Sequence, residues 1–160
     1  MRVALLRHVR HHIAEHPERF CAANWAWAAN VREVLEDGEA PESFRCCIAG
    51  HVLLCAGRFD EPTLLRYSVR FDDGFVGRCA REALGGGERE QRALFYPTQW
   101  PEPYRQAYYL AQTRLQEAQA AVGVLDAFIA LLSSDAPKAG GELRPPQQRA
   151  ARTSSRLIFA

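Results

Sequence analysis

The stretch from Phe44 to Gly57, FRCCIAGHVLLCAG, limits the fold more than any other part of the chain. It is the most apolar window, with Pro41 before it and Gly57 closing it. Phe44, Cys47, Ile48, His51, Val52 and Cys55 fall at i, i+3, i+4, i+7, i+8 and i+11, which is one face of a helix. Ala49, Gly50, Leu53, Leu54 and Ala56 fill much of the other side, so protein should surround this helix nearly all round. Ser43 is the expected N-cap.

The flanking segments read as helices laid around that centre. Val3 to His16 carries an apolar stripe of Leu5, Leu6, Val9 and Ile13, and Pro17 ends it. Asn24 to Leu35 is predicted helical, with the Asp37-Gly38 pair as a turn beyond it. Leu64 to Phe71 alternates apolar and polar residues, which predicts a strand. Asp72-Asp73-Gly74 then reads as a turn and Phe75-Val76 as a short return strand, the alternative being that Phe75 opens the next helix. That helix runs to Leu84, where Gly85-Gly86-Gly87 stops it. Helices follow at Glu88–Phe95 and at Tyr104–Gln112. Between them, Tyr96 to Tyr104 is a stiff corner of three prolines and aromatic rings. Thr113 opens the last helix, with Gln116 as its capping-box partner. Leu115, Ala118, Val122, Leu125, Ile129 and Leu132 form its stripe, read as core-facing with a dimer seam as the sharper alternative.

The expected architecture is a mainly α single domain over residues 1–132, built around a buried central helix and carrying a small β-hairpin. Residues 133–160 hold five basic and two acidic residues among Gly, Pro, Ser and Gln, which suits a flexible basic tail. The formal charge of +1 gives no electrostatic reason to expect nucleic acid or an anionic membrane as partner. No window reads as a membrane span of roughly 18 apolar residues. The start, MRVALLRHVRHH, turns polar too soon for a signal peptide, so a cytoplasmic location is expected.

Few residues could carry chemistry. The five cysteines are an odd count without a secretion signal, which argues against a disulfide framework. Cysteine is also among the most buried residue types. His12 and His16 at i, i+4 present two imidazoles on one helical face, and Cys46, Cys47 or His51 could complete a tetrahedral zinc set, although no CxxC pair is present. Cys47 and His51 are one turn apart, so a thiol and a base could approach, but no third group to orient them is evident. Gly85-Gly86-Gly87 lacks the strand before it and the Lys-Ser/Thr after it that a P-loop needs. The remaining candidates are aromatic: Trp25, Trp27, Tyr96, Trp100, Tyr104, Tyr108 and Tyr109. Such residues serve equally as interface anchors and as core with a polar handle.

Taken in order, His16-Pro17-Glu18-Arg19-Phe20, a tryptophan, Cys47-Ile48-Ala49-Gly50-His51, Leu94-Phe95-Tyr96-Pro97 and Trp100-Pro101 resemble a group of small uncharacterised bacterial and phage proteins. Those proteins pair a His-Pro-Glu-x-Phe helix end with a segment such as CGTxxCxAGW or CGTxxCIAGH, and a late helix ends in Leu-Phe. The resemblance spans Leu5 to Phe128 and implies no established activity. It implies that Cys47, Ala49 and Gly50 hold a close helix contact. The first cysteine of that segment would fall at Glu42 and its Gly-Thr at Ser43-Phe44, a departure that argues against a two-cysteine metal or redox site.

The expected function is a non-enzymatic protein-interaction or regulatory module that needs no cofactor. Trp25, Trp27, Tyr96, Trp100, Tyr104 and Tyr108 are its candidate partner-binding residues, and another protein is the expected partner. One alternative is a metal-dependent (zinc) or cysteine-dependent enzyme using His12 and His16 with Cys47 and His51. Another is a homo-oligomeric scaffold, a homodimer joined through the Leu115–Leu132 stripe.

Overall fold

A computed structural model of the chain describes residues 1–29, 42–70 and 73–134. Residues 30–35 of the predicted second helix, the Asp37-Gly38 turn and residues 135–160 of the predicted tail lie outside them, whereas Ser133 and Ser134, expected to begin the tail, belong to the last helix. The fold is mainly α, with seven α-helices and one short antiparallel strand pair among the described residues.

Helix α1, Val3–Glu15, buries Leu6, Val9 and Ile13 along the predicted stripe. Pro17 follows and opens a single 3-10 turn, Pro17–Arg19. The chain then extends into strand β1, Ala26–Trp27, which pairs with β2, Arg45–Cys46, in the register Ala26 to Cys46 and Trp27 to Arg45. This corrects two expectations. Asn24 to Ala29 is not helical, because Ala26 turns inward and Trp27 outward, the alternation of a strand. The central helix is also shorter than predicted. Helix α2 is Ile48–Cys55, and its N-cap is Cys47, not Ser43. A short apolar run cannot by itself distinguish a buried strand from a buried helix. Here the first part pairs with β1 and only the second part coils.

Ile48 through Leu53 of α2 are all buried, so the centre is wrapped as expected. Gly57 ends this segment with φ +62, and the Gly57 N–H donates to the Leu54 carbonyl at 3.0 Å.

Helix α3, Glu61–Arg70, replaces the predicted first strand of the hairpin. Asp60 caps it, its Oδ1 accepting the Thr63 N–H at 2.9 Å, and Pro62 sits in the first turn. Leu64 and Leu65 are both buried while Val69 is exposed. That pattern fits a helical face and breaks the period of two. Helix α4, Asp73–Leu84, contains Phe75 and Val76, so the return strand is absent and the alternative reading holds. Gly85 closes α4 with φ +67.

Helix α5 is Glu88–Phe95, a single 3-10 turn covers Pro97–Gln99, and α6 is Tyr104–Leu110. Helix α7, Arg114–Ser134, begins with the predicted capping box. The Gln116 N–H donates to Thr113 Oγ1 at 3.3 Å, and the Thr113 N–H donates to Gln116 Oε1 at 3.2 Å. Its buried face is Ala118, Ala120, Ala121, Val124 and Leu125, whereas Leu115 is 53% exposed. By length and composition α7 is apolar enough to cross a bilayer, which corrects the expectation that no segment is. Mostly buried core helices pass the same test, but only 28% of the apolar window of α7 is buried; the helix contacts α1 and α6.

Candidate functional site

The strand pair and the Tyr96 corner build one cleft. Cys47 leaves β2 with its N–H donating to the Trp25 carbonyl at 3.4 Å, and the Cys21 N–H donates to the Cys46 carbonyl at 3.1 Å. These bonds hold Cys21 to Trp25 against the start of α2. The same segment is also tied to α7, where Glu117 Oε1 accepts the Ala22 N–H at 2.8 Å. Between this segment and the Tyr96–Thr98 corner lies a cleft of about 350 Å³. Trp25, Tyr96, Pro97, Tyr108 and Tyr109 line it, and Cys47 forms part of its floor.

The rings brace one another. Trp25 and Tyr96 meet edge to face with centroids 5.8 Å apart, and Tyr108 meets Tyr109 at 5.2 Å. Behind them, Trp100 packs edge-on to Tyr108 at 5.4 Å, and its indole N–H donates to the Leu94 carbonyl at 3.0 Å. Trp100 is 2% exposed, so it supports the cleft and offers no surface, contrary to its place among the candidate partner-binding rings. Tyr104 is also turned away from the cleft. Its ring lies on Gly123 of α7, where an added Cβ would come within 2.5 Å of it. Tyr109 is 60% exposed at the cleft rim. Trp27 is 37% exposed outside the cleft, with the Arg45 guanidinium 4.5 Å above its ring. Ser68 lines the cleft too, a residue hidden from sequence reasoning because its segment reads as a strand.

The thiols and imidazoles divide into two groups. Cys21, Cys46 and Cys47 are buried, and all five cysteines are free. Burial pushes the Cys47 thiol up to about 11, while the N–H groups of Gly50 and Ala49 at the helix start pull the other way. Burial also holds Cys46 well above its ordinary value.

His51 does not line the cleft. Its Nδ1 lies 3.1 Å from His12 Nδ1, whichever ring carries the proton donating to the other, and its ring stacks on Phe20. His16 stands over His12 with centroids 5.2 Å apart but remains exposed. His51 is 1% exposed, and its Nε2 makes no hydrogen bond. The Arg19 backbone is close enough to favour a proton on that ring without bonding to it. Burial and the neighbouring His12 nevertheless hold His51 down at about 3, and burial likewise lowers His12.

The structure brings His12 and His51 together across two helices, while Cys47 and His51, one turn apart in sequence, serve different places. Among the described residues, no three His, Cys, Asp or Glu side chains are placed to hold a metal ion.

The seam between β2 and α2 is close at Gly50, and the neighbour there is extended chain, not a helix. A Cβ on Gly50 would lie 2.5 Å from Cys46 Cβ and 2.7 Å from the Trp25 carbonyl oxygen.

Fold and site together define a mainly α chain that presents an aromatic cleft beside a buried thiol-and-imidazole core. Compared with protein-family models, curated proteins and solved structures, the chain matches none.

Proposed function

We propose that the protein is a non-enzymatic interaction module that holds an extended segment of another protein in the Trp25–Tyr96–Tyr109 cleft. The observation that carries this reading is convergence. Aromatic residues from β1's approach, the Tyr96 corner and α6 line a single cleft, with the Tyr109 ring left exposed at its rim. Rigid rings anchor peptides at low entropic cost, and aromatic-lined grooves take extended chains. A random-peptide display library tests it. The wild type should enrich peptides with apolar rings or proline, and Trp25→Phe combined with Tyr109→Ser should weaken them about ten-fold, in the range of lost interface anchors. A library that yields no enriched peptide, or peptides that bind both forms equally, refutes the reading.

A thiol-dependent enzyme is the second reading, favoured by the position of Cys47 at a helix start on the cleft floor. Against it stand a thiol held near 11 and a histidine that faces α1 instead of the sulfur. Modification of Cys47 by iodoacetamide within minutes at pH 7 would move the balance to this reading.

A further inference from the structure

A second cleft adjoins the first across the Tyr96 corner. It has a volume of about 500 Å³ and lies between α4, α5 and the Tyr96–Gln99 segment. Three arginines face it: Arg78 and Arg81 from one face of α4, and Arg92 from α5. Glu88 is the one carboxylate lining it among the described residues, and Arg92 already holds that carboxylate at 2.7 Å. Neither Arg78 nor Arg81 has a carboxylate partner among the described residues; Arg78 lies 6.0 Å from the centre of the Phe75 ring. Among the described residues the groove therefore carries two guanidinium groups without a carboxylate partner and a third that is already oriented. Gln91, Thr98 and Gln99 add neutral polar side chains around them. Clustered arginines repel one another, and their planar donor forks match phosphate and carboxylate oxygens.

Tyr96 and Thr98 line both clefts. Trp25 links them from beneath, since Gly77 of α4 sits against its ring, and a Cβ there would lie 3.2 Å from the indole and 2.8 Å from Gln91 Nε2. A ligand lying over Tyr96 would reach rings on one side and arginines on the other.

We infer that the two clefts form one bipartite site for an extended peptide that carries a phosphorylated or carboxylate side chain, the anion on Arg78, Arg81 and Arg92 and a neighbouring apolar ring in the Trp25–Tyr109 cleft. This rests on the proposed interaction module and names the chemistry of its partner. Charge selects the occupant. The chain's own residues 133–160 hold five basic and two acidic residues, so that segment does not complement the groove. A nucleic acid strand would present a continuous row of phosphates, and three arginines with a chain charge of +1 neutralise only a few of them. Recognition of a single anionic side chain by an arginine cluster needs no more than this.

The test uses degenerate peptide libraries with a fixed central residue: phosphotyrosine, phosphoserine, glutamate or serine. Each is passed over the immobilised full chain. The anionic libraries should be retained at least about ten-fold more than the serine library, within the range of charge-assisted contacts, and the preference should shrink as salt is raised. The ranking of the phosphorylated libraries against the glutamate library identifies the anion. Arg78→Gln with Arg81→Gln should abolish the preference. Arg78 is exposed and Arg81 half-buried, so an unchanged melting curve verifies that this variant folds. Equal retention of all libraries, lost in Tyr109→Ser, overturns the anionic anchor and leaves the aromatic cleft standing. An anionic preference that the arginine variant keeps overturns the assignment to this groove. Tighter binding of an oligouridylate than of any phosphorylated library overturns the choice of a peptide.

Discussion

Gly50→Ala is the sharpest probe of the seam that shapes the cleft. Two effects oppose each other. Gly50 lies within α2, where alanine is the better helix former by about 1 kcal/mol. The new Cβ, however, would stand 2.5 Å from Cys46 Cβ, 2.7 Å from the Trp25 carbonyl oxygen and 2.9 Å from Cys46 Sγ. The nearest two are a Cβ and a backbone carbonyl, so no flexible side chain can swing aside. Either α2 or the strand pair must move, and overpacking of this kind costs about 1–3 kcal/mol. The movement also strains the Cys47 N–H to Trp25 carbonyl bond, already 3.4 Å long, whose loss adds about 1 kcal/mol. The net expectation is a loss of about 1–3 kcal/mol once the helix gain is subtracted. Urea unfolding followed by tryptophan fluorescence measures it, with the slope against denaturant showing that the change lies in the native state. Gly57→Ala is the control: its φ of +62 brings backbone strain of about 1–2 kcal/mol, but no atom lies within 4 Å of the added Cβ. A Gly50→Ala protein as stable as the wild type, with an unchanged slope, would refute the reading of this seam.

Three further outcomes follow from the buried groups. His51 titrates near 3 when folded and near its ordinary value of 6.5 when unfolded, so the unfolded chain binds more protons between those pH values. Stability is therefore full above pH 6.5 and falls as pH drops toward 3, by up to about 1.4 kcal/mol per pH unit from this group. His12 adds to the same trend, and His51→Met should flatten the pH dependence of the urea midpoint; an unchanged slope would contradict it. Thiol labelling at pH 7 without denaturant should reach the partly exposed Cys79 and Cys55 before Cys21, Cys46 and Cys47, which should react only as the protein unfolds, as read by mass spectrometry. Trp100→Phe removes the hydrogen bond to the Leu94 carbonyl and leaves space behind Tyr108, for a loss of about 1–3 kcal/mol by urea titration. A stability within about 0.5 kcal/mol of wild type, the range of neutral surface changes, would mean the indole is not part of the support.

Much of the architecture was legible from local rules. The stripe of α1, the buried apolar centre, the capping box at Thr113 and Gln116, and the glycine stop at Gly85 are each written in a few neighbouring residues, and each stands where those residues place it. The segment from Leu64 misled because two periods fit it. Its true start, Asp60 followed by Pro62, is a helix signal that the apparent alternation outweighed. Nothing local distinguishes Trp25 from Trp100 as ring types, yet one lines a cleft and the other is sealed beneath it.

What the sequence determined unaided was the repertoire: which faces are apolar, where helices stop, and that the centre is rich in thiols and small residues. Tertiary structure alone decided that Arg45 and Cys46 pair as extended chain, because the partner strand lies some twenty residues away. It also decided that Cys47 and His51 part company and that Arg78, Arg81 and Arg92 share one groove. Local propensity is fixed by neighbours along the chain, whereas burial and the meeting of like charges depend on which distant segments the core brings together.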